Sequence, residues 1–348
     1  MSVLTIRRPD DWHLHLRDGA ALASVVKFTA ERFGRAIVMP NLKPPVATAA
    51  AAAAYRKRVL AALPATSTFT PLMTLYLTDN TASDEIDRAV AARCVHGVKL
   101  YPAGATTHSD AGVTDIRKTY AVLERMEKCG MPLLVHGEAA RPEVDVFDRE
   151  SVFIDETLAP LIERFPGLKV VFEHITTARA VQFVTSAREK VAATITPQHL
   201  LHNRNAIFTG GIRPHYYCLP ILKHEHDRIA LVQAAVSGNP RFFLGTDSAP
   251  HERSTKETSC GCAGMFTAHA AIELYAEVFE ESGRLDRLEA FASHFGADFY
   301  GLPRHEERIT LKREPWVVPE HYPFGDGSVV PYRAGGTIAW RLAPAERS

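Results

Sequence analysis

This chain lacks any charge imbalance: 40 Lys+Arg face 40 Asp+Glu over 348 residues. A neutral balance argues against a nucleic-acid binder and against a polybasic membrane-surface protein. No apolar run approaches the roughly 18–20 residues that a membrane-crossing helix requires. The opening MSVLTIRRPDDW has no basic segment followed by an apolar one, so no signal peptide is expected. Cysteine is scarce and odd in number, with five copies at positions 94, 129, 218, 260 and 262. That is no disulfide framework, and it points to a reducing cytoplasm. Cys260-Gly-Cys262 has no second pair to complete a thiolate metal site and reads as loop thiols. Low-complexity linkers and internal repeats are missing too, so residues 1–348 read as one domain built for small-molecule chemistry.

The chain is 46% hydrophobic, enough for a large core. Short apolar or β-branched runs stand at 11–16, 35–39, 68–75, 95–100, 132–136, 169–174, 191–195 and 242–245. Helical patterns alternate with them at 20–33, 48–63, 83–93, 115–129, 147–165, 177–187 and 224–237, and 264–282 follows the last run. Strand-then-helix units imply parallel strands with helical crossovers. Their number predicts an α/β fold of the closed (β/α)8 TIM barrel type. From 302 to 348 the chain turns proline-rich, with strand-like runs at 307–312 and 336–342, and reads as a small C-terminal appendage packed on the barrel. The loop 102–112, PAGATTHSDAG, is long and polar, as mobile lids often are.

Histidine is plentiful, at 16 copies, and several close apolar runs. His13, His15, Lys99, His136, His174 and Asp247 each fall at or just past the C-terminal end of an expected strand. In a (β/α)8 barrel those ends converge on one face, where active sites lie. His13 and His15 are one residue apart, so on a strand both imidazoles point to one side, as two ligands of one metal require. Taken alone, a His-x-His pair is a weak signal, and His136 or His174 reads as readily as a core histidine. A buried Asp247 needs a cation or hydrogen-bond donors. At matching strand ends, the set points to a metal site.

Lys99 is the odd member, because an ammonium group cannot bind a metal. By itself it reads as a lysine whose stem is buried and whose head reaches solvent. Inside a cluster of cation-binding groups, burial and metal charge would favour the neutral amine. Such an amine can add carbon dioxide to become N6-carboxylysine, whose two oxygens would bridge two metals. With the Asp247 carboxylate and a bridging hydroxide, that anion brings the charge of two Zn2+ down to about +1.

The segments DWHLHLRDG, MPNLKPP, VHGVKLYPAGATT, LVHGE, EHITT, TPQHL and LGTDSAPH…KE…CGCAG resemble the dihydroorotases of the shorter, stand-alone subfamily, in the amidohydrolase superfamily. The likeness runs from the first expected strand through the last barrel helix. It implies two Zn2+ per subunit, one held by His13, His15 and Asp247 and the other by His136 and His174, with carboxylated Lys99 bridging them. It also implies the reaction, a reversible hydrolysis of the cyclic amide of L-dihydroorotate to N-carbamoyl-L-aspartate in de novo pyrimidine biosynthesis. A metal-bridging hydroxide would attack, with Asp247 as general base and acid. A homodimer is the family expectation, and cobalt or manganese would suit the same donors.

The substrate of that reaction carries a carboxylate. Arg17 follows His15 by two residues on the same strand face, and its planar fork can grip a carboxylate bidentately. Pairing with Asp18 is the competing reading. The resemblance assigns carboxylate binding to Arg17, Asn41 and His251, backbone contacts to Leu219 and Ala263, and lid contacts to Thr106 and Thr107. Asn41 also reads as a turn residue, and the two threonines as ordinary loop polarity. His199 and His202 are left outside the site, and His224, His226, His96 and His108 read as surface groups. Three rivals stay open: a mononuclear, deaminase-like relative with Glu138 as proton shuttle, a hydantoinase-like enzyme, and a barrel that serves only as an interaction scaffold.

Overall fold

The computed structural model describes residues 2–259 and 261–344. Strand β1 (Val3–Arg7) stands apart from an eight-stranded parallel sheet. That sheet runs in chain order through β2 (Asp10–Leu14), β3 (Arg35–Val38), β4 (Thr70–Tyr76), β5 (Val95–Leu100), β6 (Leu133–Val135), β7 (Val170–Phe172), β8 (Val191–Ile195) and β9 (Phe242–Leu244). Nearly all of their residues are buried, as in strands covered on both faces; most are apolar or β-branched runs, whereas β2 (DDWHL) buries two aspartates and a histidine. All eight coincide with the expected runs, and the barrel is the one predicted. The ring is drawn shut by single contacts rather than a ladder. Asp247 N donates to His13 O at 2.9 Å, and His15 N donates to Ser248 O at 3.1 Å. Asp11 buttons the same seam: its carboxylate accepts from His13 N (3.1 Å), Thr246 N (2.9 Å) and Thr246 Oγ1 (2.6 Å).

Inside the ring, Trp12, Leu72, Leu134, Val171 and Phe243 form one apolar cluster. The helix Phe295–Tyr300 plugs it from the end where the strands begin; Lys169 Nζ donates to Phe299 O, and Arg35 Nη2 donates to Pro303 O just beyond it. Trp12 stacks on Tyr300 with ring centroids 4.5 Å apart and planes within 9°. A Cβ on Gly296 would lie 2.0 Å from Trp12 Nε1, so only glycine lets the plug seat. The apolar filling and its plug leave the opposite end of the barrel for polar groups.

Several elements differ from expectation. The segment 264–282 is helical only over Ala271–Glu281, because 265–267 runs extended, a turn follows, and both are tied down: Ala249 N donates to Met265 O at 2.8 Å, and Ser248 Oγ accepts from Thr267 N and Ala268 N. The helix expected at 147–165 carries a π turn, Ile154–Leu158. The expected helix at 115–129 opens with a 3-10 turn, Ile116–Thr119, before Tyr120–Cys129. The tail supplies β10 (Arg308–Lys312), which pairs antiparallel with β1 over five residues and with Arg341–Leu342 on its other side. The strand character of β1 was not anticipated. Its partner lies some 300 residues away, and only that partner gives a lone edge segment a ladder. Of the cysteine pair, Cys260 lies outside the described residues, while Cys262 is a free thiol beside the barrel mouth.

Candidate metal centre and substrate cavity

The barrel gathers the predicted residues at its C-terminal mouth. His13 lies within β2 and His15 just beyond it, Lys99 lies in β5, His136 follows β6 directly, and His174 and Asp247 follow β7 and β9 by two and three residues. The β2–β3 register shifts between Asp11 and Leu14, an irregularity of the kind that re-aims side chains next to active sites. Backbone strain is concentrated here: Arg17 (φ 61°), His174 (φ 42°) and Asp247 (φ 45°) are left-handed without being glycine, at about 1–2 kcal/mol each. The surroundings hold them there. His174 N donates to Thr194 Oγ1 at 2.8 Å, and buried Glu150 accepts from both N–H and both hydroxyl groups of Thr176 and Thr177 just downstream.

The geometry suits a metal ion. His13 Nε2, His15 Nε2 and Asp247 Oδ1 lie 3.3, 3.2 and 3.4 Å from one another. Three donors about 2.0–2.1 Å from a tetrahedral centre are separated by about 3.3–3.4 Å, so these atoms already form one face of such a site. A second group, His13, Glu173 and His174, also lies within ligand distance. The rings of His13 and His174 are 4.9 Å apart, and those of His136 and His174 4.8 Å, which brings His136 into the same cluster. Among the described residues, buried His174 Nδ1 has no hydrogen-bond partner. The cluster's charges fit a cation as well. Burial opposes a charged His13, but Glu173 and Asp247 overcome it and lift its pKa to about 9. Burial instead lowers His15 to about 4. Burial would raise the Asp247 carboxyl, yet His13 and His15 hold it well below its usual range. A divalent cation would take the place of the proton that binds these donors together.

Carboxylates beside the ligating atoms orient the rings, a pattern common around metal-binding histidines. Glu173 Oε1 lies 3.1 Å from His13 Nδ1, and Glu138 Oε2 lies 2.8 Å from His136 Nε2. Asn41 Oδ1 accepts from His15 Nδ1 at 2.9 Å, which turns His15 Nε2 toward Asp247. Lys99 is 0% exposed, pairs with the other oxygen of Glu173, and does not line the cavity. Burial lowers its pKa, against the pull of Glu173. Glu173 went unnoticed in the sequence, although a glutamate closing the run VVFE beside His174 was the available signal.

Above the cluster lies a small, partly open cavity. Arg17, Asn41, Thr106, Thr107, Leu219, His251 and Ala263 all line it, together with Tyr101, which was not foreseen. Arg17 does not pair with Asp18, whose carboxylate is taken by Arg58. Its Nε donates to Pro250 O at 2.8 Å and its Nη2 to His251 Nε2 at 2.9 Å. Burial, reinforced by Arg17, keeps His251 neutral. Asn41 Nδ2 donates to Thr107 O at 3.3 Å, joining the second barrel strand to the long loop. Glu138 Oε2 is engaged by His136 Nε2 and Glu138 does not line this cavity, which disfavours it as a shuttle there. His199 spends both ring nitrogens on Thr196 Oγ1 and Pro220 O, outside the site as expected. His224 and His226 are exposed, and His96 and His108 are half-buried.

A sequence profile of the Amidohydrolase family matches residues 10–319. A dihydroorotase from Azoarcus sp. (strain BH72) is 67% identical over 344 residues, 99% of this chain and 100% of the relative. The chain belongs to the amidohydrolase family, among its dihydroorotases. A crystal structure of Saccharomyces cerevisiae dihydroorotase in complex with 5-fluoroorotic acid superposes with a TM-score of 0.91 at 33% identity, covering 99% of this chain and 100% of that one. An L-hydantoinase from Arthrobacter aurescens, at a TM-score of 0.80 and 16% identity over 97% of this chain and 83% of its own, shares the fold alone. Family and donor set together imply a metal centre. Among the described residues, no helix is long and apolar enough to cross a membrane.

Proposed function

We infer that this chain is a dihydroorotase, which interconverts L-dihydroorotate and N-carbamoyl-L-aspartate in pyrimidine biosynthesis. The observation that carries the reading is one cavity floored by the His/Asp cluster and walled by the Arg17–His251 pair. The hydantoinase alternative offers no reason for that pair, whereas a ligand bearing a carboxylate does, and the yeast relative was crystallised with such a ligand.

In this reading His13, His15 and Asp247 would hold one zinc ion and His136 and His174 a second, and Lys99, as N6-carboxylysine, would supply an anionic ligand to both. Bound there, the ions would polarise the ring carbonyl and acidify water. The burial that lowers the Lys99 pKa supports the neutral amine that carboxylation needs. Asp247 stays ionised and takes a proton from the water that adds to the ring carbonyl carbon. It returns that proton to the ring nitrogen as the carbon–nitrogen bond breaks, leaving a terminal urea and a carboxylic acid that ionises to a carboxylate by releasing the water's second proton to solvent. Arg17, Asn41 and His251 bind the substrate carboxylate, Leu219 and Ala263 supply main-chain contacts, and Thr106 and Thr107 close over the ring.

The family resemblance supports a homodimer working in the cytoplasm, and the β1–β10 ladder supports one barrel domain with its tail from 302 packed on it. The test is direct. Purified, zinc-loaded protein should interconvert carbamoyl aspartate and dihydroorotate and leave hydantoins largely untouched, and failure on the first pair overturns the reading.

A further inference from the structure

Lys256 is a buried lysine that the chemistry above does not use. It is 4% exposed and, among the described residues, forms no ion pair. Its Nζ donates to three main-chain carbonyls: Tyr217 O at 3.1 Å, Cys262 O at 2.8 Å and Gly264 O at 2.7 Å. An ammonium group has three N–H donors and no acceptor, so these carbonyls saturate it. They come from two separate loops. Tyr217 precedes Leu219 by two residues, and Cys262 and Gly264 flank Ala263. Leu219, Ala263 and Gly264 line the cavity. Gly264 N also donates to Tyr217 O at 3.0 Å. The second loop packs closely on the segment that carries His251: a Cβ on Gly264 would lie 2.5 Å from Ala249 O and 3.0 Å from His251 Cδ2.

We propose that Lys256 is a positioning residue for the carboxylate end of the substrate: its ammonium group locks the Leu219 and Ala263 loops in register with Arg17 and His251. Its unpaired positive charge also backs a cavity that takes an anion. The inference rests on the dihydroorotase reading. A neutral amine would offer two donors and turn a lone pair toward the third carbonyl, so the clamp requires the charged form. Burial, opposed by the Cys218 and Cys262 thiols and assisted by Arg17, lowers the Lys256 pKa to about 8. The other titratable groups facing it, His251 and His215, are themselves held below their usual value, chiefly by burial, and gain no charge in alkali. The clamp is thus complete below a pH of about 8 and released as the pH rises through it.

The test measures kcat and KM for L-dihydroorotate across that range with the zinc-loaded, full-length enzyme, for wild type, Lys256→Met and Lys256→Arg, with zinc content and circular dichroism as controls. Below the transition, Lys256→Met should raise KM by about tenfold or more with kcat within about threefold, the value of one charged hydrogen-bonding group. Zinc content should not change, and Lys256→Arg should recover part of the affinity. Wild-type KM should climb above a pH of about 8, and that climb should vanish in Lys256→Met. A folded Lys256→Met enzyme with unchanged KM, or with kcat and zinc lost together, overturns the inference. Should that variant not fold, a wild-type KM that stays flat through the alkaline range overturns it equally. A wild type without turnover sinks the reading of the reaction and this inference with it, whereas an active wild type whose KM ignores Lys256 sinks the inference alone.

Discussion

Replacing Arg17 by alanine should separate substrate binding from chemistry. A guanidinium carries five N–H donors in a rigid fork. Here Nε–H is spent on Pro250 O and one Nη2 N–H on His251, so three remain for a ligand, enough for a two-point grip on a carboxylate. Two charge-assisted hydrogen bonds contribute about 1.5–3 kcal/mol each. Water filling the truncated space would recover part of that, leaving a loss of about 3–4 kcal/mol, or roughly 10^2–10^3 in kcat/KM. The loss should fall on KM, since the side chain of Arg17 hydrogen-bonds Pro250 O and His251 and not Asp247 or the histidines of the metal cluster. Alanine adds no new backbone strain, because φ of 61° is as unfavourable for one L-residue as for the other. Steady-state kinetics with zinc content measured on the same sample provide the assay. Arg17→Lys should keep only part of the affinity, since lysine carries the charge without the fork. A KM within about threefold of wild type in the alanine variant would refute the carboxylate grip.

Three further outcomes follow from the same geometry. Dialysis against a chelator should abolish turnover, and about two equivalents of Zn2+ should restore it, whereas Lys99→Ala should retain less metal; full activity after chelation would eliminate the metal centre. Asp247→Asn should lower kcat by about 10^2–10^4, the span of general acid–base catalysis, and a loss under tenfold would remove Asp247 from proton transfer. Gly296→Ala should destabilise the fold by about 1–3 kcal/mol or more through its clash with Trp12, read as a lower urea midpoint with KM unchanged in dilute buffer. An unaltered midpoint would mean that the plug can shift without cost.

The sequence alone determined the barrel and the metal-binding core of its site, because both are written locally. Strand runs bounded by helical patterns fix a parallel sheet. A histidine or aspartate that ends such a run must emerge at the barrel mouth, however distant its companions are along the chain. The sequence could not decide which groups answer those residues, since pairing depends on what the closed ring brings within about 3 Å. That Arg17 turns from adjacent Asp18 to His251 followed from its left-handed backbone and the position of the loop after β9. Glu173 was visible only as a letter beside His174 until β5 and β7 set it between Lys99 and His13. β1 needed β10 to be a strand at all. Lys256, unremarkable in composition, became a clamp because two loops laid three carbonyls around one buried charge.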